Sequence, residues 1–154
     1  MLKWWKPCEL VKRWRAGWAE RLGGRLCASD AANTSGATRT AAQRQGALWE
    51  GRARAYLERR GLRLLAANFH CRGGEIDLIM QHGAVVVFVE VRQRSAGSHG
   101  GAAASVTPAK QRRLLRAAQA WLRRYRQAPP CRIDVVAIDG DAIDWLRNAV
   151  QAPD

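Results

Sequence analysis

Residues Gly74 to Arg94 constrain the fold more than any other stretch of this chain. They read Gly-Glu-Ile-Asp-Leu-Ile-Met-Gln-His-Gly-Ala-Val-Val-Val-Phe-Val-Glu-Val-Arg-Gln-Arg. Two runs rich in β-branched and aliphatic residues flank His82-Gly83, so the stretch predicts a β-hairpin. Side chains alternate faces along a strand. Glu75, Asp77 and Ile79 therefore share a face of the first strand, and Phe88, Glu90 and Arg92 share one of the second. A turn centred on residues 82 and 83 pairs 75 with 90 and 77 with 88. Asp77 and Glu90 are then diagonal neighbours, about 7–8 Å apart along the backbone. A register slipped by two residues sets them directly opposite. In both registers the carboxylates converge.

Convergence of this kind is costly. Two carboxylates about 5 Å apart repel by roughly 3 kcal/mol at an effective dielectric near 20. A raised pKa, an arginine partner or a divalent cation offsets the repulsion. One reading is an ion pair in which Arg92 or Arg94 neutralises Glu90. The other is a Mg²⁺ or Mn²⁺ site at Asp77 and Glu90 with positive charge beside it. Glu90 follows five apolar residues, Val85 to Val89. Acids buried in such a strand are seldom kept without a partner, which favours the cation.

The 154 residues suffice for a single domain with its own core. Lys and Arg number 26 against 13 Asp and Glu, a net charge of +13. That excess points to a polyanionic partner, nucleic acid before an anionic membrane surface. No apolar run reaches the roughly 18 residues a membrane span requires. Charges interrupt the N-terminus where a secretory signal would be apolar, so a cytoplasmic location is expected. Cys8, Cys27, Cys71 and Cys131 form no Cys-x-x-Cys pair, and the histidines show no ligand spacing, which argues against zinc and dithiol chemistry.

Residues 1–41 read as a basic, Trp-rich extension and linker. Leu10, Trp14, Trp18 and Leu22 recur every four residues among Lys12, Arg13, Arg15 and Arg21, a short amphipathic helix. Such a helix could lie on a membrane surface, a nucleic acid or a partner protein, or it could dock on the domain or fray. The domain spans 42–150, with 151–154 as a tail. Its first helix runs from Ala42 to about Arg60, before Gly61. Glu50 lies on the margin of the inward stripe Trp49, Ala53, Tyr56 and Leu57, or pairs with Arg54 one turn on. Leu62 to Phe69 is a strand, and His70-Cys71-Arg72-Gly73-Gly74 a turn. Residues 95–106 form a loop of small residues. Thr107-Pro108 opens a second helix, with Thr as N-cap and Pro in its first turn. Lys110, Arg112, Arg113, Arg116, Arg123, Arg124 and Arg126 give this stretch seven positive charges, with no acid from Thr107 to Gln127. An unbalanced face of that kind suits phosphate. Cys131 to Ile138 is a last clear strand, in which Asp134 is a further polar site residue or a partner of Arg132. The short segment Ala142 to Val150 follows.

The order αβββαβ, with an acid on the first helix, Asp on the second strand and Glu-x-basic on the third, resembles the restriction-endonuclease-like nuclease core. That core is an α/β fold with a central mixed sheet flanked by helices. The more specific resemblance is to the YraN-like proteins, uncharacterised protein family 0102. It rests on Trp49-Glu50, on Gly73-Gly74-Glu75-Ile76-Asp77-Leu78-Ile79 and on Phe88-Val89-Glu90-Val91-Arg92. Gly100 to Val106, Lys110 and Arg132-Ile133-Asp134-Val135-Val136 add to it. The resemblance covers roughly residues 42–150. It implies a Mg²⁺- or Mn²⁺-dependent endonuclease acting on DNA or RNA, with Glu50, Asp77, Glu90 and Arg92 as catalytic residues and Asp77 and Glu90 as metal ligands. Arg72, Arg94, Lys110 and Arg113 would hold the nucleic acid. Arg92 stands where the nucleases usually carry Lys. An arginine keeps its proton, so it can clamp a phosphate but cannot act as a general base. The alternative is a catalytically inactive nucleic-acid-binding or partner-docking module on the same fold.

Overall fold

Helix α1 opens at Thr40, which forms a capping box with Gln43. The Thr40 hydroxyl accepts the Gln43 N–H at 3.3 Å, and the Gln43 side chain accepts the Thr40 N–H at 2.9 Å. Two orphan N–H groups of the first turn are thereby satisfied. The structure, a computed structural model, describes residues 40–93 and 106–150. The amphipathic stretch Leu10–Leu22, Arg94, the glycine-rich run from Gly100 and the tail 151–154 lie outside the described residues.

The elements run α1 (Ala41–Glu58), β1 (Arg63–Cys71), β2 (Gly74–His82), β3 (Val85–Gln93), α2 (Pro108–Leu122), β4 (Cys131–Asp139) and β5 (Ala142–Val150). The strands form one five-stranded sheet in the order β1-β2-β3-β4-β5. Strands β3 and β4 are parallel and every other neighbouring pair is antiparallel, so the sheet is mixed. Antiparallel neighbours need only two-residue turns, whereas the parallel pair needs a crossover, and α2 lies within it.

Each helix covers one face. Ala53 and Leu57 of α1 pack with Leu78, Met80, Val85, Val87, Val89, Val136 and Ile138. Leu114, Ala117, Ala118, Trp121 and Leu122 of α2 pack with Ile76, Ile79, Val86, Phe88, Ile133 and Val135 on the other face. Strand β3 is thus covered on both sides, which is why Val85 to Val89 is an unbroken apolar run. Burying each of these side chains contributes about 1.5–3 kcal/mol.

Three expectations need correction. The β2–β3 turn is Gly83-Ala84, not His82-Gly83, because His82 pairs with Val85. Gly83 has φ +60 at the first turn position, a conformation glycine adopts without strain and one that matches the twist of the flanking strands. Ile79 consequently faces Phe88 and Leu78 faces Val89. The same register carries Asp77 opposite Glu90, so the slipped alternative is the one realised and the pairing of 77 with 88 is not. Secondly, α2 ends at Leu122. Arg123 is its C-cap, and Arg124 and Arg126 belong to the turn beyond it. Thirdly, residues 142–150 are a fifth strand on the β4 edge, and the order becomes αβββαββ.

Candidate functional site

Asp77 and Glu90 meet near the start of β2 and the end of β3, on the face that α2 covers. The Val91 N–H donates to Asp77 Oδ2 at 2.8 Å, so backbone of the neighbouring strand is spent on a carboxylate. The two carboxyls are also within hydrogen-bonding reach of each other. Glu90 is only 3% exposed. Its Oε1 lies 3.3 Å from Arg92 Nε, and its Oε2 lies 3.2 Å from Lys110 Nζ.

Lys110 arrives from the first turn of α2. Thr107 caps that helix by accepting the Lys110 N–H at 3.3 Å, which fixes the turn from which the side chain extends. The ammonium also lies 3.3 Å from Glu75 Oε1, and His70 Nδ1 lies 3.6 Å from Glu75 Oε2. A polar chain therefore runs from the surface at His70 through Glu75 and Lys110 to the buried pair. Among the described residues, three carboxyls (Glu75, Asp77, Glu90) share two fixed cations, Lys110 and Arg92.

Burial, and then the Asp77 charge, push the Glu90 carboxyl up to about 7, against the pull of Lys110 and Arg92. Burial likewise raises Asp77, with the Val91 N–H and Lys110 opposing it. Burial alone would lower Lys110, but Glu90 and Asp77 outweigh it and hold the ammonium above its ordinary value.

Of the residues singled out from the sequence, Asp77, Glu90, Arg92 and Lys110 come together. Arg92 is a Glu90 partner, as the ion-pair reading expects, yet Lys110 joins it on the other oxygen. Glu50 is half-buried on α1, the helix of the opposite face. Arg72 is exposed at the β1–β2 turn, which rests against α2 beside Arg113. A Cβ on Gly74 would overlap the Arg113 carbonyl and press on Ala117 Cβ, so glycine there lets the hairpin touch the helix. Asp134 stands apart from this cluster. It is fully buried and bound by Arg132 Nε at 3.0 Å, Trp145 Nε1 at 3.0 Å and the Asn148 N–H at 2.9 Å. It is therefore the Arg132 partner.

Glu75 was missed as a site residue. Its two-residue spacing from Asp77 on a common face was the available signal, but only the helix crossing above shows that Lys110 reaches both.

The donor set suits a hard divalent cation in a limited way. Among the described residues no three His, Cys, Asp or Glu side chains converge as a complete ligand shell. Mg²⁺ usually takes one or two carboxylates and keeps several waters, so Asp77 and Glu90 are a sufficient pair. Burial raises both carboxyls, and a bound cation would favour their charged forms.

No helix among the described residues is long and apolar enough to cross a membrane. The chain matches the family model of the uncharacterised protein family UPF0102 over residues 49–138, the span from Trp49 to the end of β4 that contains every residue of the cluster. It is 54% identical over 114 residues to a UPF0102 protein of Herminiimonas arsenicoxydans, a match covering 74% of this chain and 92% of that one. A UPF0102 protein of Alkalilimnicola ehrlichii is 59% identical over 106 residues, covering 68% of this chain and 84% of the relative. One from Enterobacter is 56% identical over 107 residues, 68% of this chain and 82% of the relative. On the strength of the family model and these relatives, the chain belongs to the UPF0102 family.

Proposed function

We propose that this protein binds nucleic acid and that the Asp77–Glu90 site is a divalent-cation-dependent phosphodiesterase acting on DNA or RNA. One observation carries the proposal: the half-buried Asp77 carboxyl and the buried Glu90 carboxyl face each other at the sheet end, while an arginine and a lysine flank the two Glu90 oxygens. The mixed sheet with one helix on each face is compatible with a restriction-endonuclease-like core, and the net charge of +13 supports a polyanionic substrate.

In this reading Asp77 and Glu90 hold Mg²⁺ or Mn²⁺. Bound there, such an ion would supply Lewis-acid polarisation of a phosphate and a lowered pKa for a bound water. Lys110 and Arg92 keep their protons and offer charge to the phosphate oxygens, where negative charge grows in the transition state. Neither is a general base: Arg92 by chemistry, Lys110 because its carboxylate neighbours raise its pKa. Glu50, carried by the helix on the opposite face, takes no part in this reading. Arg72, Arg113 and Arg94 bind the backbone of the substrate.

A second reading draws on the same distances. Arg92 and Lys110 already engage both Glu90 oxygens, so the carboxyls have cationic partners without a metal. The protein would then be a binding module with no cleavage.

A mixed panel of labelled DNA and RNA structures, incubated with Mg²⁺, with Mn²⁺ and with EDTA, tests the proposal. Cleavage is expected with either cation, none in EDTA and none for Asp77→Asn. Retained binding without cleavage under any condition would favour the second reading.

A further inference from the structure

We infer that the outer face of α2 and the tip of the β1–β2 hairpin form a rail for the phosphate backbone of a nucleic-acid duplex, leading into the Asp77–Glu90 site. The inference rests on the function proposed above for its direction, but its chemistry is separate. Arg112, Arg113, Arg116, Arg123, Arg124 and Arg126 are all exposed. Among the described residues none of the six pairs with a carboxylate, although arginines elsewhere do, as Arg54 with Glu58 and Arg52 with Asp141. Arginines left unpaired in the first half of the helix and again at its C-terminal end are complementary to a regularly charged polyanion.

The helix begins inside the site. Lys110 is in its first turn and Arg123 is its C-cap, thirteen residues later. At 1.5 Å per residue the row is about 20 Å long, equal to the axial rise of about six base pairs of B-form duplex.

Two of the guanidinium groups are held in place before any ligand arrives. Arg116 lies along the hairpin tip, its Cδ 3.4 Å from where a Gly73 side chain would begin. Arg124 sits over the Trp121 ring at 4.2 Å and near the Phe69 ring at 5.5 Å, and those rings meet edge to face at 5.3 Å. Cation–π contact of this kind orients the charge outward and reduces the order lost on binding.

The same packing selects duplex over single strand. Proteins that hold single strands offer open aromatic faces on which bases stack. Here Trp121 is buried, Phe69 and Tyr125 are half-buried, and Arg124 covers the Trp121–Phe69 pair. What remains on the rail is guanidinium, which reads backbone and leaves bases paired.

The test is fluorescence anisotropy with the full chain in EDTA. Labelled duplexes from about four to about twelve base pairs are compared with single strands of equal length. Duplex should bind more tightly than single strand, with affinity rising steeply up to about six base pairs. Arg116→Glu and Arg123→Glu should each weaken binding several-fold and reduce the salt slope by about one. Arg59→Glu, exposed at the C-cap of α1, should change neither. Equal losses from Arg59→Glu, or single strands that bind as well as duplex, would overturn the rail. Melting of the same variants with Mn²⁺ separates the two claims. A lost rail leaves the metal-induced shift in place, and a failed carboxylate site leaves duplex binding in place.

Discussion

Asp134 and Glu90 are both buried acids of one sheet, yet their surroundings differ. Asp134 is 0% exposed, and fixed donors occupy its oxygens: a guanidinium, an indole N–H and a backbone N–H. One negative charge meets one positive charge, and the hydrogen bonds are complete. Glu90 is 3% exposed and has two cations beside it, but it shares them with Asp77 and Glu75. Among the described residues, that cluster holds one carboxyl more than Lys110 and Arg92 neutralise. A paired acid of the first kind stabilises an interior. An acid of the second kind is costly, and such surpluses concentrate where a ligand supplies the missing charge.

The largest effect that would sharpen this comparison is Asp134→Asn. It keeps the shape but leaves the partly exposed Arg132 guanidinium without its counter-charge and the Asp134 site, itself fully buried, with an imperfect partner. A loss of about 3–5 kcal/mol is expected in urea unfolding, the usual cost of breaking a buried pair from one side. A loss below about 1 kcal/mol would erase the distinction between the two acids.

The pH dependence of stability is next. Glu90 titrates at about 7 in the folded protein and at 4.5 ordinarily. Between these values the folded state holds a proton that the unfolded chain has released. The contribution therefore favours folding least at high pH, and stability falls as pH rises from about 4.5 through 7. The full shift corresponds to roughly 3 kcal/mol as an upper bound. Glu90→Gln should flatten the profile in that window, as read by chemical unfolding at pH 5 and pH 8. An unchanged slope would mean that Glu90 is not the titrating group.

The smallest effect expected is that of Glu75→Gln. Its side chain is half-exposed, and its contact with Lys110 is screened by solvent. Thermal melts should show a change below about 1 kcal/mol. A larger loss would make Glu75 as integral to the interior as Asp134.

Much of the fold was legible because local patterns and tertiary demands agree. Thr107-Pro108 marks the start of α2 and the run Val85–Val89 marks a strand covered on both faces, whereas the Thr40–Gln43 capping box of α1 was passed over. Strand β5 was obscure because Asp144, Arg147 and Asn148 interrupt its apolar alternation. Asn148, at φ +53, bends out of regular extended geometry in order to donate to Asp134. Within the site, the convergence of Asp77 and Glu90 was legible from period-two spacing, but their register depended on a turn displaced by one residue. The bridging of Glu75 and Glu90 by Lys110 was not legible. It depends on where α2 crosses the sheet, a long-range packing result that no local spacing encodes.

The central claim is that the Asp77–Glu90 pair is a cation site, and Asp77→Asn tests it most directly. The change removes one charge at nearly constant volume and preserves an acceptor for the Val91 N–H. Thermal melts of the parent and the variant are compared in EDTA and in millimolar Mn²⁺. In EDTA the variant should be as stable as the parent or more so. Mn²⁺ should stabilise only the parent, by about 2.7 kcal/mol when the metal is a hundredfold above its Kd. A variant that is less stable in EDTA, together with a parent that does not respond to Mn²⁺, would contradict the claim.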